Sequence, residues 1–387
     1  MKSIGIVTVA RSDYGIWQPV LKRLSREPDI DFWLYVAGMH LEEKYGMTIN
    51  AVAQDGYEIR ARIPMGMRRN DAEGVGVSMG EGVSGFARVF EAGRPDILCV
   101  LGDRFDMIPA VLAAAPFGLP VAHVHGGEIT EGAMDDLFRH AITKMSHLHF
   151  ASTQEYADRI IQMGEEPWRV MVSGAPGLDS VLNTELLPPV ELERLCGMPL
   201  SEKPLLVTFH PATLDALPID EQINELLKAL SRLRMPIVFT LPNADMGSDV
   251  IIQAIHRFRS QGAPAVLVDN LGSQAYFSLM HVSAAMVGNS SSGIIEAASF
   301  DLPVVNIGIR QQGRARNANV IDCTNNAASI EAAIRKAVDP AFREEIMGEG
   351  NIYGNGHAAD LIVTRLMNAE PTGTLIRKRF HPQEERR

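Results

Sequence analysis

One stretch of the chain, residues 97–150, constrains the fold more than any other. Its two apolar runs, 97–101 and 120–124, have the length and the β-branched content of buried strands, and a helix-like segment at 107–117 lies between them. Because consecutive parallel strands need a crossover connection, this pattern predicts a strand–helix–strand unit of a parallel sheet. Polar residues follow each run, at the carboxyl end where open α/β sheets bind their ligands.

Those polar residues are the first candidates for chemistry. Asp103 and Arg104 follow the first run, His125 and Glu128 follow the second, and Asp135 begins the next predicted helix. We expect them to converge on one crevice, because the carboxyl ends of neighbouring parallel strands share one edge of a sheet. Asp135 also suits a simple helix cap, whereas Glu128 lies in a tight loop after two glycines, which favours a catalytic role.

The alternation of predicted strands and helices continues on both sides of this stretch. It runs from residue 4 to about residue 177, is interrupted by a proline-rich connection at 182–204, and restarts at residue 205. The sequence therefore predicts an α/β fold of two Rossmann-like domains that face each other across a cleft.

The domain boundaries follow from the same alternation. We expect the first domain at 1–180, the second at 181–370, and a charged tail at 371–387 that is frayed from residue 376 onward. Within the first domain, the segment 66–85 is rich in glycine and methionine. It predicts a mobile loop followed by a helix through Val89.

The bulk composition excludes several classes of function. The net charge of −11 argues against general binding to nucleic acid or to a membrane surface, and no apolar run approaches the 18 residues of a membrane span. The three cysteines lack disulfide or zinc spacing, and the first apolar run breaks at Arg11, too early for a signal peptide, so we expect a cytoplasmic protein. No GxGxxG motif follows the first predicted strand, and P-loop and helical His-pair motifs are missing, so we predict no cofactor and no metal.

A serine-rich segment in the second half has the composition of an anion-binding loop. Ser290 and Ser291 join a predicted strand to a helix that contains Glu296, and Arg310 follows the next strand. The hydroxyls, the free N–H groups and the arginine suit a phosphate or diphosphate, and Glu296 suits ribose hydroxyls. A serine cap with a glycine turn is the alternative explanation, but this context favours ligand binding.

Two further residues stand at predicted strand ends. His210 follows the first strand of the second half, where a functional role and a structural role are about equally well supported. Arg11 begins a helix after the first strand of the chain. Because a cation there opposes the helix dipole, an anionic ligand explains Arg11 better than helix capping does.

Several longer motifs resemble those of a known enzyme family. The chain contains RSDYG, GMHLEEKYG, GDRFD, HVHGGE, RHAITKMSH, FHP, LPNAD, GNSSSGIIEA and RQQGR. This set spans nearly the whole chain and resembles the hydrolysing UDP-N-acetylglucosamine 2-epimerases. It is most similar to their bacterial sialic-acid-pathway branch and to the epimerase half of the related bifunctional animal enzyme. The resemblance implies a glycosyltransferase-B type fold, which agrees with the two-domain prediction.

The resemblance also implies an activity and roles for residues. In the family, the C2 proton of UDP-N-acetylglucosamine is removed and UDP leaves C1 to give a glycal. Water then adds, and C2 is reprotonated from the other face, which yields UDP and free N-acetylmannosamine. By motif, the implied catalytic carboxylates are Asp103 and Asp135. The implied substrate-binding positions are Arg11, Arg104, His210, Asn243, the Leu271 backbone, Ser290, Ser291, Glu296 and Arg310.

One position departs from the family pattern. Where some members have a glutamate implicated in catalysis, two residues after the first histidine of HVHGGE, this chain has His125. Either His125 or Glu128 takes that role, and the sugar specificity is open for the same reason.

The leading interpretation is hydrolytic 2-epimerisation of UDP-N-acetylglucosamine for the synthesis of sialic-type acids. The same reaction on UDP-2,4-diacetamido-2,4,6-trideoxy-glucose, in a legionaminic acid pathway, is a close alternative. A glycosyltransferase of the same fold and a non-enzymatic nucleotide-sugar sensor are two further ones. We also expect a homo-oligomer, either a dimer or a tetramer, whose small-molecule partner is a UDP-sugar.

Overall fold

The computed structural model describes residues 1–69, 71–130, 134–212, 215–242, 247–268 and 271–382. Its contacts divide the chain into two compact units, the first formed by Met1–Ser180 together with Tyr353–Arg387 and the second by Val181–Ile352. Each unit is a parallel β-sheet covered by helices. The prediction of two Rossmann-like α/β domains is therefore confirmed for the fold of each unit.

The regular elements of the described chain are as follows. The strands are β1 (Lys2–Thr8), β2 (Ile30–Ala37), β3 (Ile59–Ile63), β4 (Ile97–Leu101), β5 (Val121–Val124), β6 (Leu148–Ala151), β7 (Val170–Val172), β8 (Leu205–Thr208), β9 (Ile237–Thr240), β10 (Ala265–Val268), β11 (Ala285–Gly288), β12 (Val304–Ile307) and β13 (Val320–Cys323). The α-helices are α1 (Arg11–Leu24), α2 (Ile49–Gln54), α3 (Ala72–Ala92), α4 (Ile108–Ala114), α5 (Met134–Met145), α6 (Gln154–Gln162), α7 (Pro176–Leu182), α8 (Pro189–Cys196), α9 (Ile219–Ser231), α10 (Ser248–Ser260), α11 (Gly272–Val282), α12 (Ser291–Ile295), α13 (Ala327–Ala337), α14 (Pro340–Ile346), α15 (Ala358–Met367) and α16 (Thr372–Leu375). Short 3₁₀ helices occupy Gly38–Leu41, Glu43–Tyr45, Ala115–Phe117, Pro167–Arg169 and Ala297–Phe300.

Within the described residues, the sheet of the first unit has seven parallel strands in the order β3-β2-β1-β4-β5-β6-β7. β4 and β5 pair directly, with Leu101 opposite Val124, and α4 connects them, so the predicted strand–helix–strand unit is confirmed. Alternate residues of these strands enter two buried clusters, one that includes Trp17 and one that includes Phe86. The strands read as continuous apolar runs because both faces of the sheet are covered.

The sheet of the second unit has six parallel strands among the residues described, in the order β10-β9-β8-β11-β12-β13. Its core combines residues of the central strands with the apolar faces of α9, α10 and α13, among them Val207, Phe239 and Val287. The amphipathic pattern of these helices predicts that packing, because their apolar side chains recur at helical spacing. The edge strand β13 has no counterpart in the sequence-based prediction.

The segment 66–85 is mostly helix rather than a mobile loop, which corrects the prediction from composition. α3 begins directly after Asp71, whose side chain caps it, and continues beyond Val89 to Ala92. A Cβ atom on Gly82 would press on Met65, and one on Gly85 would press on Ile63. These glycines therefore allow close packing of α3, a use that composition does not distinguish from flexibility.

The chain returns to the first unit earlier than the expected boundary at residue 370. α15 contributes Ile362 and Leu366 to the same core as β1 and α1, and Lys2 Nζ donates to the carbonyl oxygen of Leu366 at 3.2 Å. An amphipathic helix joins whichever core its apolar face fits, and the sequence does not show which core that is.

The described part of the tail is held in place, contrary to the expectation of fraying. Lys378 Nζ donates to the carbonyl oxygen of Ser146 at 2.7 Å and lies 2.8 Å from the fully buried carboxylate of Glu165. The backbone N–H of His381 donates to the carbonyl oxygen of Gly164 at 3.0 Å. These contacts fix the segment because a buried carboxylate with cationic partners is costly to expose.

The sequence-based prediction missed six helices of the described chain, namely α2, α6, α7, α14, α16 and α8, the last of which lies in the proline-rich connection at 182–204. Its first residue is Pro189, and proline at the first helical position is favourable because its fixed φ suits a helix start. In the part of the chain that the structure describes, no helix has both the length and the apolar character to cross a lipid bilayer.

Candidate active site

Both sheets reverse their strand order next to their first strand. The reversal falls between β1 and β4 in the first unit and between β8 and β11 in the second. Loops after two such strands run in opposite directions and leave a crevice that binds ligands in open α/β sheets. The residues that directly follow these four strands include Arg11, Asp103, Arg104, His210 and Ser290. The topology thus places predicted site residues at the switch point of each sheet.

Asp103 is held by a buried arginine that the sequence analysis missed. Arg139 on α5 is 3% exposed, and its guanidinium pairs with the Asp103 carboxylate and donates to Thr130 Oγ1 at 3.1 Å. Asp136 Oδ1 lies 3.4 Å from the same guanidinium. A charge-assisted contact with a buried cation fixes the Asp103 carboxylate at the end of β4.

Arg104 is fixed by a carboxylate of its own loop. Its guanidinium donates to the two oxygens of Asp106 at 2.9 and 3.0 Å, and Met39 Sδ also lies 3.0 Å away. Asp106 is fully buried, and burial raises the pKa of its carboxyl while Arg104 opposes that rise. The bidentate pair holds the Arg104 guanidinium in one orientation, as a binding arginine requires.

Asp135 and Asp136 share the first turn of α5 but have different surroundings. Asp136 accepts a hydrogen bond from Thr130 N at 2.8 Å, which ties the start of the helix to the preceding loop. Asp135 has no hydrogen-bond partner among the described residues, and burial raises the pKa of its carboxyl, with Arg104 opposing the rise and Asp106 adding to it. Asp136 therefore stabilises the start of the helix, the role that the sequence also allowed for Asp135. The raised pKa of Asp135 suits proton transfer.

His125 and Glu128 are in direct contact. His125 Nδ1 lies 2.6 Å from Glu128 Oε1, and the same oxygen accepts a hydrogen bond from Ser152 Oγ at 2.9 Å. The His125 backbone has a φ of +64°, in the left-handed region that few non-glycine residues adopt. His125 and Glu128, the two candidates for the role of the family's glutamate, are thus joined by a direct contact.

Asp13 is a buried carboxyl whose importance the sequence analysis missed. It accepts hydrogen bonds from Thr8 Oγ1 at 2.7 Å, Val9 N at 3.1 Å and Ala10 N at 2.6 Å. Burial raises the pKa of Asp13 to about 7, although these hydrogen bonds oppose the rise. Thr8 Oγ1 also lies 2.9 Å from His40 Nε2, and burial lowers the pKa of His40 to about 4, so that ring is neutral.

Arg11 is exposed beside a cavity of about 430 Å³ in the first unit, lined also by Tyr14, His40, Thr48 and Asn50. That volume lies within the range of small-molecule sites in proteins. The exposed guanidinium next to it fits the predicted contact with an anionic ligand.

In the second unit, Asn289 organises the strand ends. Its side-chain amide accepts from His210 N at 2.7 Å and donates to the His210 carbonyl oxygen at 2.8 Å. Its backbone carbonyl oxygen accepts from Arg310 Nη1 and Gln311 Nε2, each at 3.0 Å. Burial, with a contribution from Arg310, lowers the pKa of His210 to about 4. One asparagine, which the sequence analysis did not single out, thus brings His210 and Arg310 together.

Glu296 presents a buried carboxylate in the second unit. Its Oε2 is buried, with no hydrogen-bond partner among the residues the structure describes. Burial raises the pKa of the Glu296 carboxyl, while the Ser292 hydroxyl and Arg314 oppose the rise. A buried acceptor without a partner costs free energy unless a ligand supplies a donor. Tyr276, a residue the sequence analysis missed, also has a pKa raised by burial, to about 12, and Glu296 adds to that rise.

The remaining predicted positions are less informative. Ser290 caps α12 by accepting from Ser292 N at 3.4 Å, and Ser291 is the first residue of that helix. Leu271 directly precedes α11, and Asn243 lies outside the described residues. Across the described ranges, no three histidine, cysteine or acidic side chains are grouped so that they could hold a metal ion.

Most of the chain, residues 22–367, matches the family model described as UDP-N-acetylglucosamine 2-epimerase. The chain is similar to the UDP-N,N'-diacetylbacillosamine 2-epimerase (hydrolyzing) of Legionella pneumophila, with 35% identity over 362 residues that cover 93% of this chain and 94% of that protein. It is also similar to the polysialic acid biosynthesis protein P7 of Escherichia coli, with 36% identity over 355 residues, or 91% of this chain and 90% of that one.

Solved structures with the same fold include the UDP-GlcNAc 2-epimerase of Neisseria meningitidis bound to UDP-GlcNAc. The TM-score is 0.80, the identity is 19%, and the match covers 95% of this chain and 100% of that chain. At this identity the likeness concerns the fold, and it agrees with the predicted glycosyltransferase-B type.

Proposed function

Because the chain belongs to the UDP-N-acetylglucosamine 2-epimerase family, we propose that it is a hydrolysing 2-epimerase of a UDP-linked 2-acetamido sugar. The observation that carries this proposal is the edge of the first sheet. Asp103, His125, Glu128 and Asp135 follow its neighbouring strands β4 and β5, and the guanidinium of Arg139 lies against Asp103. Moving a carbon-bound proton requires positioned acid and base groups of this kind.

The proposed reaction has two steps. A base removes the proton from C2 while the bond between C1 and the UDP oxygen breaks, so that a C1=C2 double bond forms. Water then adds its hydroxyl to C1, and C2 takes a proton on the opposite face. In the overall reaction, the UDP-sugar and water give UDP and the free manno-configured sugar. The first step also needs positive charge near the departing diphosphate.

We assign proton transfer to the first unit and nucleotide binding to the second. Asp135 suits proton transfer because burial already favours its protonated form, and Arg104 is a fixed cation beside it. In the second unit, Arg310 is proposed to contact the diphosphate and Glu296 to accept from ribose hydroxyls, since its Oε2 is a buried acceptor. The further substrate-binding positions in this proposal are Arg11, His210, Asn243, Leu271, Ser290 and Ser291.

The substituent at C4 of the sugar distinguishes two candidate substrates. UDP-N-acetylglucosamine, with a hydroxyl at C4, is the first candidate. The name of the L. pneumophila relative supports the second, a UDP-2,4-diacetamido-2,4,6-trideoxy sugar. The name of the E. coli relative supports a role in supplying a manno-configured precursor of a sialic-type acid.

Incubation of the purified protein with each UDP-sugar in deuterated water tests the proposal. We expect release of UDP together with a free manno-configured sugar that carries one deuterium at C2, because solvent supplies the returning proton. Turnover of only one substrate identifies the C4 group. A requirement for an acceptor would indicate a glycosyltransferase, and binding of both substrates without UDP release would indicate a sensor.

A further inference from the structure

We propose that His125 is the base of the elimination step and that Glu128 and Ser152 are positioning residues that act through it. This inference rests on the proposed function and deepens it. In the step, the C2 proton moves to His125 Nε2, the electron pair of the C2–H bond forms the C1=C2 double bond, and UDP leaves with the electron pair of the C1–O bond.

The hydrogen bonds of Glu128 fix the tautomer of His125. Glu128 is 4% exposed, and its Oε1 is the shared partner of His125 Nδ1 at 2.6 Å and Ser152 Oγ at 2.9 Å. In this inference Glu128 is ionised; its carboxylate then only accepts hydrogen bonds, so both the Ser152 hydroxyl and His125 Nδ1 donate. In the neutral ring the proton then sits on Nδ1, and Nε2 carries the lone pair that can accept a proton.

The Nε2 atom of His125 is available for this role. Within the described residues it has no hydrogen-bond partner, and the side chain is 12% exposed. The register pairs Leu101 of β4 with Val124 of β5, so His125 is level with Gly102 and lies next to the loop of Asp103. The imidazole therefore belongs to the same strand-end edge as the predicted catalytic carboxylate.

The backbone around His125 is built to hold an unfavourable conformation. His125 N donates to the Phe150 carbonyl oxygen at 3.1 Å while its φ is +64°. A Cβ atom on Gly126 would press on His123 Nδ1, and one on Gly127 would press on the Tyr156 carbonyl oxygen. Left-handed non-glycine residues are unfavourable and are retained where the surroundings over-determine them, commonly at functional sites.

A second histidine–glutamate pair in the same unit differs from the pair of His125 and Glu128 in which ring nitrogen it engages. His149 Nε2 lies 3.2 Å from Glu165 Oε2, both side chains are fully buried, and Lys144 and Lys378 also contact that carboxylate. Its histidine lies inside β6 and uses Nε2 for the pair. This arrangement stabilises the fold, whereas the pair of His125 and Glu128 leaves Nε2 at the strand-end edge.

A double-mutant cycle tests the division of roles. We expect Glu128→Gln to lower kcat roughly 10- to 100-fold with an unchanged KM, the range typical of partners that orient a reactive group. His125→Glu places a carboxylate at this position, and a carboxylate needs no tautomer. In that background Glu128→Gln should cost nothing or raise kcat, because it removes a like charge beside the new carboxylate. An equal loss in both backgrounds would overturn the inference.

A matched control and a second measurement keep the test decisive. Glu165→Gln, in the buried structural pair, should lower the melting temperature while kcat stays within about twofold. If His125→Glu is inactive, nitrogen-15 NMR of the unmutated protein decides, since the inference requires a proton on His125 Nδ1 and a bare Nε2 in the neutral ring. The opposite tautomer overturns the inference. Inertness of the unmutated protein towards both UDP-sugars would instead contradict the proposed function and leave the tautomer measurement valid.

Discussion

The strand ends of the two units share one architecture but differ in how their polar groups are satisfied. In the first unit, charged groups pair with each other, Arg104 with Asp106 and Arg139 with Asp103. In the second unit, hydroxyls and amides dominate, and Glu296 Oε2 is buried with no hydrogen-bond partner among the described residues. Paired charges keep fixed positions before a substrate arrives, whereas an unsatisfied acceptor favours a ligand that brings a donor. This difference agrees with the proposed division between proton transfer in the first unit and nucleotide binding in the second.

Burial shifts the pKa of site residues in both units, upward for a carboxyl and downward for an imidazole. It raises the pKa of Asp135 in the first unit, which makes a carboxyl better suited to exchange protons near neutral pH. It lowers the pKa of His210 in the second unit to about 4, so this ring is neutral and does not add a positive charge for a phosphate. Arg310 supplies a positive charge beside His210.

The largest expected effect is on turnover by the first unit. Asp103→Asn and Asp135→Asn should each lower kcat by about 10² to 10⁴, the usual contribution of a positioned acid or base, while UDP affinity is retained. Steady-state kinetics and calorimetry with UDP measure the two quantities.

The control for this prediction is the neighbouring carboxylate. Asp136→Asn should reduce stability by about 1 kcal/mol, as loss of a helix-start contact does, with little change in kcat. If Asp135→Asn had near-normal turnover and a lowered melting temperature, Asp135 would be a helix cap rather than a catalytic group.

A smaller effect is expected on nucleotide binding by the second unit. Arg310→Ala and Glu296→Ala should each weaken UDP binding by about 1–3 kcal/mol, because they remove a diphosphate partner and a ribose acceptor. Calorimetry with UDP gives the dissociation constants, and Arg335→Ala, on an exposed helix face of the same unit, is the matched control. Unchanged affinity in both variants would remove the assignment of nucleotide binding to these residues.

The last prediction concerns Asp13 and the dependence of stability, rather than of activity, on pH. Its pKa of about 7 in the folded protein exceeds the ordinary value of 3.8 for an aspartate, so the folded state binds more protons between these two values. The stabilising contribution of Asp13 is therefore complete below about pH 4 and is lost as the pH rises through 7.

Urea unfolding at several pH values measures this contribution. Relative to Asp13→Asn, the free energy of unfolding of the unmutated protein should fall by about 1 kcal/mol per pH unit between pH 5 and 6.5. Parallel curves for the two proteins would show that Asp13 does not titrate in this range. The comparison uses differences because other buried carboxyls and histidines titrate in both proteins alike.

The sequence by itself determined the architecture and the positions where polar groups leave the strands. Strand β4 agrees with the predicted range 97–101, and β5 begins one residue after the start of the predicted run 120–124, because a short apolar run between polar ends is a local signal. The sequence predicts Asp103, Arg104 and Glu128 as candidate site residues for the same reason. Each lies in the loop that follows one of these apolar runs. The helix within segment 66–85 could not be predicted from its composition, because glycine occurs both in flexible loops and in closely packed helices.

Only the tertiary structure decided which groups meet. Arg139 is 36 residues from Asp103, Ser152 is 24 residues from Glu128, and Asn289 is 79 residues from His210. Strand order and register choose these partners, and both depend on how whole elements pack rather than on any local pattern. The same packing assigns α15 to the core of the first unit and leaves Nε2 of His125 free of hydrogen bonds within the described chain.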